Sequence, residues 1–249
     1  MAIAIRQIHP VFVGEVSGID LRAPSSRDEV RAIEAGMDRC AVLVFHDQNI
    51  TDDQQIAFTR NFGEIENSAG GSVTRPDQKR LNPLMNDVSN LNEHNQPLDR
   101  DDRRRLFNQL WHSDSSFRAI PAKYSLLYSR GLLGFNATPE EEAMFRPVRQ
   151  RLVRTHPVTG RKSLYLASHA GTIVGWPLPE ARALLRDLTE HATQPQFVHV
   201  HRWRQYDLVI WDNRQTMHRV RRFDESEIRD MRRTTVAGDA PTIEQVQAA

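Results

Sequence analysis

The stretch "LWHSDSSF", Leu110 to Phe117, sets His112 and Asp114 one residue apart. If the chain is extended there, alternate side chains share a face, and one imidazole and one carboxylate reach a single ion. The composition, with 10 histidines and 32 acidic residues, predicts about one such triplet by chance, and the sequence holds one, so spacing alone proves nothing. Context comes from "WDNRQTMHR", where a strand end and a tight polar turn at Asp212 to Arg214 precede His218. Two imidazoles and a carboxylate on one face of an octahedral ion leave three positions open, an arrangement suited to non-haem iron(II) and oxygen chemistry. Beyond it lies "EIRDMRRTTVAGD", in which Arg229, Met231 and Arg233 alternate. On a strand the two guanidinium groups would point the same way and need carboxylates, the group a planar fork matches best.

The elements that must position these residues follow from pattern. Residues 11 to 17, "VFVGEVS", suggest a strand, and "SSRDEVRAIEAGMDRC" a helix, with serine caps, acids in its first turn, and Val30, Ile33 and Met37 at helical spacing. "AVLVFHD" reads as a buried strand. Thr51 with Gln54 makes a capping box for a second helix that stops at Gly63. Residues 64 to 104 are polar and rich in glycine and proline, a loop region containing one plausible strand, "LMNDVSNL". The Gly70-Gly71 pair there reads as a loop rather than a phosphate cradle, since no helix start with a lysine follows. Then come short, partly alternating segments: "LFNQLWHSDSSF", "KYSLLYS", "RLVRTHP", "KSLYLAS", "FVHVHRW", "YDLVIWD" and "RRTTVAG". A helix, "LPEARALLRDLTEHA", with Pro179 near its start, interrupts them. Many short strands and few helices predict a mainly β sandwich or barrel with flanking helices.

With 249 residues the chain fits one domain, 1–249, and 39% hydrophobic against 26% charged residues allows a full core. A net charge of +1 recommends neither nucleic acid nor membrane as a partner. The N-terminal apolar run is too short for a signal peptide and no later run spans a bilayer. A lone cysteine, Cys40, expected to be a buried structural thiol, suits a reducing cytoplasm. The pair His199 and His201 in "HVHRW" rivals His112 as a metal anchor, but with no nearby carboxylate it is expected to be structural. Trp111 and Trp211 are expected in the core.

"LWHSDSSF", "YDLVIWDNRQTMHR" and "RDMRRTTVAGD" resemble the taurine and 2,4-dichlorophenoxyacetate dioxygenase family of iron(II)/2-oxoglutarate-dependent oxygenases, nearest its aryloxyacetate branch. "VLVFHDQNITDDQQIAFTRNFG", "PAKYSLL", "RLVRTHPVTGRKSLYLASHA" and "LLRDLTEHATQPQFVHVHRW" extend the likeness almost end to end. The resemblance implies a double-stranded β-helix, a jelly roll with flanking helices, and Fe(2+), 2-oxoglutarate and O2 as cofactor and cosubstrates. It assigns His112, Asp114 and His218 as metal ligands. Arg229, eleven residues after His218, falls on the anchor of the distal carboxylate of 2-oxoglutarate, and Arg233 on a position facing the substrate's acid group. An aryloxyacetate such as 2,4-dichlorophenoxyacetate would be hydroxylated beside its ether oxygen and collapse to a phenol and glyoxylate, with release of succinate and CO2.

The chain also departs from the family. Relatives carry, after the strand corresponding to "KYSLLYS", a few tens of residues with a Gly-Gly-x-Thr motif whose threonine contacts 2-oxoglutarate; here Ser129 and Arg130 lead directly into "GLLGFNATPEEEAMF". Deleting a strand and a helix would open the core, so the expectation is that residues are omitted from this sequence rather than lost from the fold. A lysine that holds aryloxyacetates in relatives has no counterpart in "ENSAGGSVTR", where the nearest basic residue is Arg75. Alternatives therefore stay open: a sulfonate or other small acid as substrate, a catalytically impaired relative, or an arginine-driven nucleic-acid binder built on Arg219, Arg221, Arg222, Arg229, Arg232 and Arg233. A homo-oligomer is left open.

Overall fold

The computed structural model of the chain describes residues 3–66, 80–92, 94–97, 109–116, 118–126, 148–224 and 226–242. The Gly70-Gly71 loop, Arg75, Phe117 and the junction near residue 130 lie outside the described residues.

The chain begins with a hairpin of β1 (Ala4–Gln7) and β2 (Gly14–Ser17). The strand expected over 11 to 17 starts only at Gly14 because Val13 takes a left-handed φ of 73°. The bend is fixed by the Ile8 carbonyl-side turn: the Val13 carbonyl accepts from the Ile8 amide, and His9 Nδ1 accepts from Val11 and Phe12. Gly14 then allows close approach, since a Cβ there would meet Ile5 at 2.8 Å and Leu43 at 2.9 Å.

Helix α1 (Arg27–Cys40) begins at Ser26, whose hydroxyl accepts from the Glu29 amide while the Glu29 carboxylate accepts from the Ser26 amide. Such a reciprocal cap is worth about 1 kcal/mol. The helix buries Ile33, Met37 and Cys40 against the sheet, so the thiol is structural as expected. It provides the crossover from β2 to β3 (Val42–Phe45), its parallel neighbour. Helix α2 (Asp52–Thr59) starts at the capping box of Thr51 and Gln54, continues as one 3-10 turn to Phe62 and stops at Gly63, with φ 140°. The chain then contributes β4 (Asn86–Asp87), β5 (Tyr124–Leu126), β6 (Val153–Thr155) and β7 (Lys162–Leu164). Helix α3 (Leu178–Ala192), β8 (Leu208–Asp212) and β9 (Arg232–Thr235) follow.

Seven strands form one sheet in the order β1-β2-β3-β8-β5-β9-β4, and β6 pairs with β7 separately. All pairings except β2 with β3 are antiparallel. The central strand β8 is buried throughout. Leu208 and Ile210 join the α1-side core with Leu43, Phe45, Phe58 and Phe62, while Val209 and Trp211 pack on the other face with Val13 and Val44. Each fully buried aliphatic or aromatic side chain contributes about 1.5–3 kcal/mol. A strand covered on both faces is a rigid base for whatever leaves its end.

Three further expected strands depart most from the pattern. "LMNDVSNL" contributes only Asn86–Asp87. "FVHVHRW" starts at the end of a 3-10 turn, Pro195–Phe197, and makes no ladder among the described residues; its His201 turns to Asp207, as does the next residue's amide, that of Arg204. "LWHSDSS" is not a strand. His112 forms an isolated antiparallel bridge with His218, and a turn begins at Asp114, with Ser115 at φ 53° and Ser116 Oγ donating to the Ser113 carbonyl.

Candidate metal centre

The chain leaves β8 at Asp212, turns, and reaches His218, which pairs antiparallel with the earlier segment at His112. The His112 amide donates to the His218 carbonyl at 3.0 Å and the His218 amide to the His112 carbonyl at 2.8 Å. Main-chain pairing therefore juxtaposes the two imidazoles, whose ring centroids lie 4.2 Å apart. His112 Nδ1 meets the Leu110 carbonyl at 2.7 Å, so it carries the proton and leaves Nε2 with a free lone pair. Nε2 of His112 and both ring nitrogens of His218 are buried and accept no hydrogen bond among the described residues. Asp114 completes the group, with Oδ1 3.9 Å from His112 Nε2 and Oδ2 3.6 Å from His218 Nε2. Ligand atoms of the three residues all lie within 4.8 Å of one another.

Burial pushes His112 below the ordinary imidazole range, partly opposed by the charge of Asp114. Burial and neighbouring His112 push His218 down to about 3. Both rings are thus neutral near pH 7, the form in which imidazole coordinates a metal. Buried nitrogens without hydrogen-bond partners normally cost free energy, and a divalent ion among them removes that cost. The donor set fits iron(II).

The turn after β8 is wired to hold this arrangement. Asp212 accepts from the Arg214 amide, from Arg214 Nε at 2.9 Å and Nη2 at 2.7 Å, from Gln215 Nε2 at 3.0 Å, and from His156 Nε2 at 3.2 Å. Burial raises the Asp212 pKa, but the bonds from His156 and Arg214 outweigh it and hold the carboxyl below the usual range. Thr216 Oγ1 donates to the Asp212 carbonyl, and Ser113 Oγ donates to the Thr216 carbonyl.

The arginines divide by role. Arg233 is buried on β9, and its Nη1 lies 2.7 Å from Asp114 Oδ1. Arg229 lies before that strand, so the expected three-residue alternation with Met231 fails; β9 begins only at Arg232. The Arg229 amide donates to Asn90 Oδ1, its carbonyl accepts from the Asn90 amide, and its Nη1 donates to the Val88 carbonyl. Arg80 braces this segment by bonding both Asp87 of β4 and Asp230. Arg232 turns away to Asp52 and Asp230, and Arg219 lies over the Trp111 ring at 5.2 Å.

Several residues near the centre escaped pattern reading. Glu66 accepts from Ser115 Oγ at 2.8 Å and lies 3.4 Å from Arg118 Nη1. Burial raises its pKa, opposed by Arg118 and Ser115. His169 meets Ser116 Oγ at 2.7 Å and is lowered to about 4, first by burial and then by His112. Asn213 was visible only as part of a polar turn, yet its Oδ1 accepts from the Asp114 amide. Nothing in the spacing of these residues signals proximity. The rival His201 does have a carboxylate: its Nε2 is 2.9 Å from Asp207 Oδ2, correcting the expectation that none lay near, while the structural role stands. Trp211 is in the core, whereas Trp111 is only partly buried.

The sequence matches the family "Taurine catabolism dioxygenase TauD, TfdA family" over residues 4–134 and 129–235. The chain belongs to this family. It is 38% identical to the alpha-ketoglutarate-dependent 2,4-dichlorophenoxyacetate dioxygenase of Burkholderia sp. (strain RASC), covering 96% of this chain and 95% of that one. It is 27% identical to the (S)-phenoxypropionate/alpha-ketoglutarate-dioxygenase of Delftia acidovorans, over 85% and 87% of the two chains. Among solved structures, that of AAD-2 in complex with Mn(II) and N-oxalylglycine is 52% identical, with a TM-score of 0.90 over 97% of this chain and 100% of that one. The Burkholderia match runs over 284 residues, more than the 249 here, so that relative has at least 35 residues without a counterpart. The two family matches meet at 129–134. Among the described residues no helix is long and apolar enough to cross a membrane.

Proposed function

We propose that the protein is an iron(II)- and 2-oxoglutarate-dependent dioxygenase that hydroxylates a small carboxylate, an aryloxyacetate such as 2,4-dichlorophenoxyacetate. The observation that carries the reading is the pair of buried Nε2 atoms of His112 and His218, turned toward the Asp114 carboxylate and accepting no hydrogen bond among the described residues. His112, Asp114 and His218 hold the metal. Bound iron(II) supplies oxygen activation coupled to decarboxylation of 2-oxoglutarate to succinate. The 52% identity to a protein crystallised with Mn(II) and N-oxalylglycine, an analogue of 2-oxoglutarate, supports this pairing of metal and cosubstrate.

The protein's own side chains place the reactants and exclude water. Arg229 receives the distal carboxylate of 2-oxoglutarate, and the Val88 carbonyl and Asn90 fix the segment that carries it. Arg233 meets the substrate's acid group while its Nη1 remains beside Asp114, so one guanidinium neutralises two anions. Hydroxylation next to the ether oxygen gives a hemiacetal that collapses to a phenol and glyoxylate. The similarity to enzymes named for 2,4-dichlorophenoxyacetate supports this substrate class over a sulfonate. The proposal also includes a double-stranded β-helix fold, a cytoplasmic location suited to the buried lone thiol, and a Gly-Gly-x-Thr segment at the 129–134 junction in the protein as made in the cell.

Two measurements test it. Anaerobic addition of iron(II) and 2-oxoglutarate is expected to give a visible charge-transfer band. A succinate-release screen across aryloxyacetates, aryloxypropionates and sulfonates is expected to peak on the first class, with phenol and glyoxylate in equal amounts. No band from folded protein would reject the enzyme reading; a peak on sulfonates would reject the substrate.

A further inference from the structure

The two histidines need no side chain to bring them together, because the main-chain ladder does so. Asp114 stands beyond that ladder, at the first position of a turn whose next residue is left-handed. Its amide is held by the side chain of Asn213, with Oδ1 accepting at 3.1 Å. That same oxygen accepts a second N–H, Trp211 Nε1, also at 3.1 Å. Asn213 is fully buried, and its own amide donates to the Lys123 carbonyl at 3.0 Å, which ties it to the end of the β5–β8 pair.

Two donors converging on one oxygen fix which way the carboxamide faces, since a flip would set its NH2 against two N–H groups. Trp211 also packs on the His218 ring, with centroids 4.5 Å apart. One carboxamide oxygen therefore connects the main chain of Asp114 to the ring that supports His218.

We propose that Asn213 is a positioning residue for Asp114: by accepting its amide, with Trp211 setting the carboxamide's orientation, it places the carboxylate opposite the two imidazoles. The inference rests on reading His112, Asp114 and His218 as metal ligands, and it predicts that Asn213 affects metal affinity chiefly through Asp114. Groups that orient ligands in this way typically change metal affinity about 10- to 100-fold.

The test is anaerobic cobalt(II) titration, followed by its visible absorption, of the full chain in four forms: wild type, Asn213→Ala, Asp114→Ala and the double variant. Asn213→Ala is expected to weaken cobalt binding about 10- to 100-fold in the presence of Asp114 and to have little further effect on the weaker binding that the two histidines retain in Asp114→Ala. Unchanged affinity with a lower melting temperature would make Asn213 merely structural and overturn the proposal. An equal loss in both backgrounds would overturn it too, by placing the effect on the histidines. If Asn213→Ala does not fold, Trp211→Phe in the same two backgrounds decides: a smaller loss confined to the Asp114 background supports the proposal, and no loss rejects it. Should Asp114→Ala bind cobalt as tightly as wild type, the ligand assignment itself fails, an outcome separate from failure of Asn213 alone.

Discussion

Two regions of the molecule combine two imidazoles with one aspartate, and they are built for opposite ends. Around Asp207, a fully buried carboxylate lies 2.5 Å from His46 Nδ1 and 2.9 Å from His201 Nε2, and the two rings are 6.3 Å apart. Each imidazole is committed to the carboxylate. Around Asp114 the rings are 4.2 Å apart, their Nε2 atoms accept no hydrogen bond among the described residues, and Asp114 Oδ1 lies against Arg233 instead. The same three residue types thus make a hydrogen-bonded strut in one place and a metal-ready cluster in the other. What separates them is which lone pairs remain unused.

The comparison breaks most visibly if either cluster is emptied. Replacing His112 with Ala is expected to weaken cobalt binding far more than Asn213→Ala does and to reduce 2-oxoglutarate-dependent succinate formation to background. Loss of activity with metal binding intact would remove His112 from the ligand set. Next in size is Arg229→Ala, expected to cost about 2–5 kcal/mol of 2-oxoglutarate binding while iron affinity stays unchanged. Equal cosubstrate affinity, measured by titrating the charge-transfer band, would relieve Arg229 of the anchoring role.

Asp207→Asn sharpens the contrast from the other side. It leaves His46 and His201 with a weaker acceptor and should lower stability by about 1–3 kcal/mol in denaturant titrations, with metal affinity untouched. A change in metal affinity would mean the two clusters are coupled.

A last effect, about 3 kcal/mol at most, comes from His169. It is held at about 4 in the folded protein against an ordinary 6.5, so between those values the unfolded chain takes up a proton that the folded chain refuses. Its contribution is complete above pH 6.5 and is lost as the pH falls through about 4. His169→Gln should flatten that part of the stability profile; an unchanged slope would assign the acid sensitivity elsewhere.

Much of the fold was legible where information is local. Helix α3 occupies its expected residues, and both capping boxes formed, because caps and apolar spacing act within a few residues. "VFVGEVS" and "FVHVHRW" misled because alternation describes a face but not a neighbour. Val13 turned left-handed at a bend closed by His9, and His201 of "HVHRW" went to Asp207. The expected extended run through His112 and Asp114 was replaced by a bridge and a turn, yet the side chains still met, since His218 arrives from across the chain.

By itself the sequence determined the residue types of the proposed ligands, the spacing of His218, Arg229 and Arg233, and through their resemblance the family and its chemistry. Only the tertiary structure decided that Arg233 lies against Asp114 while Arg229 is braced by Val88 and Asn90, and that Asn213 supports the Asp114 amide. It also decided that His201 is bonded to Asp207 whereas the Nε2 atoms of His112 and His218 accept no hydrogen bond among the described residues. The reason is physical: a residue's type fixes which donors and acceptors it carries, but whether they are spent depends on partners far away in sequence, brought within 3 Å or so only when the sheet pairs and the core closes.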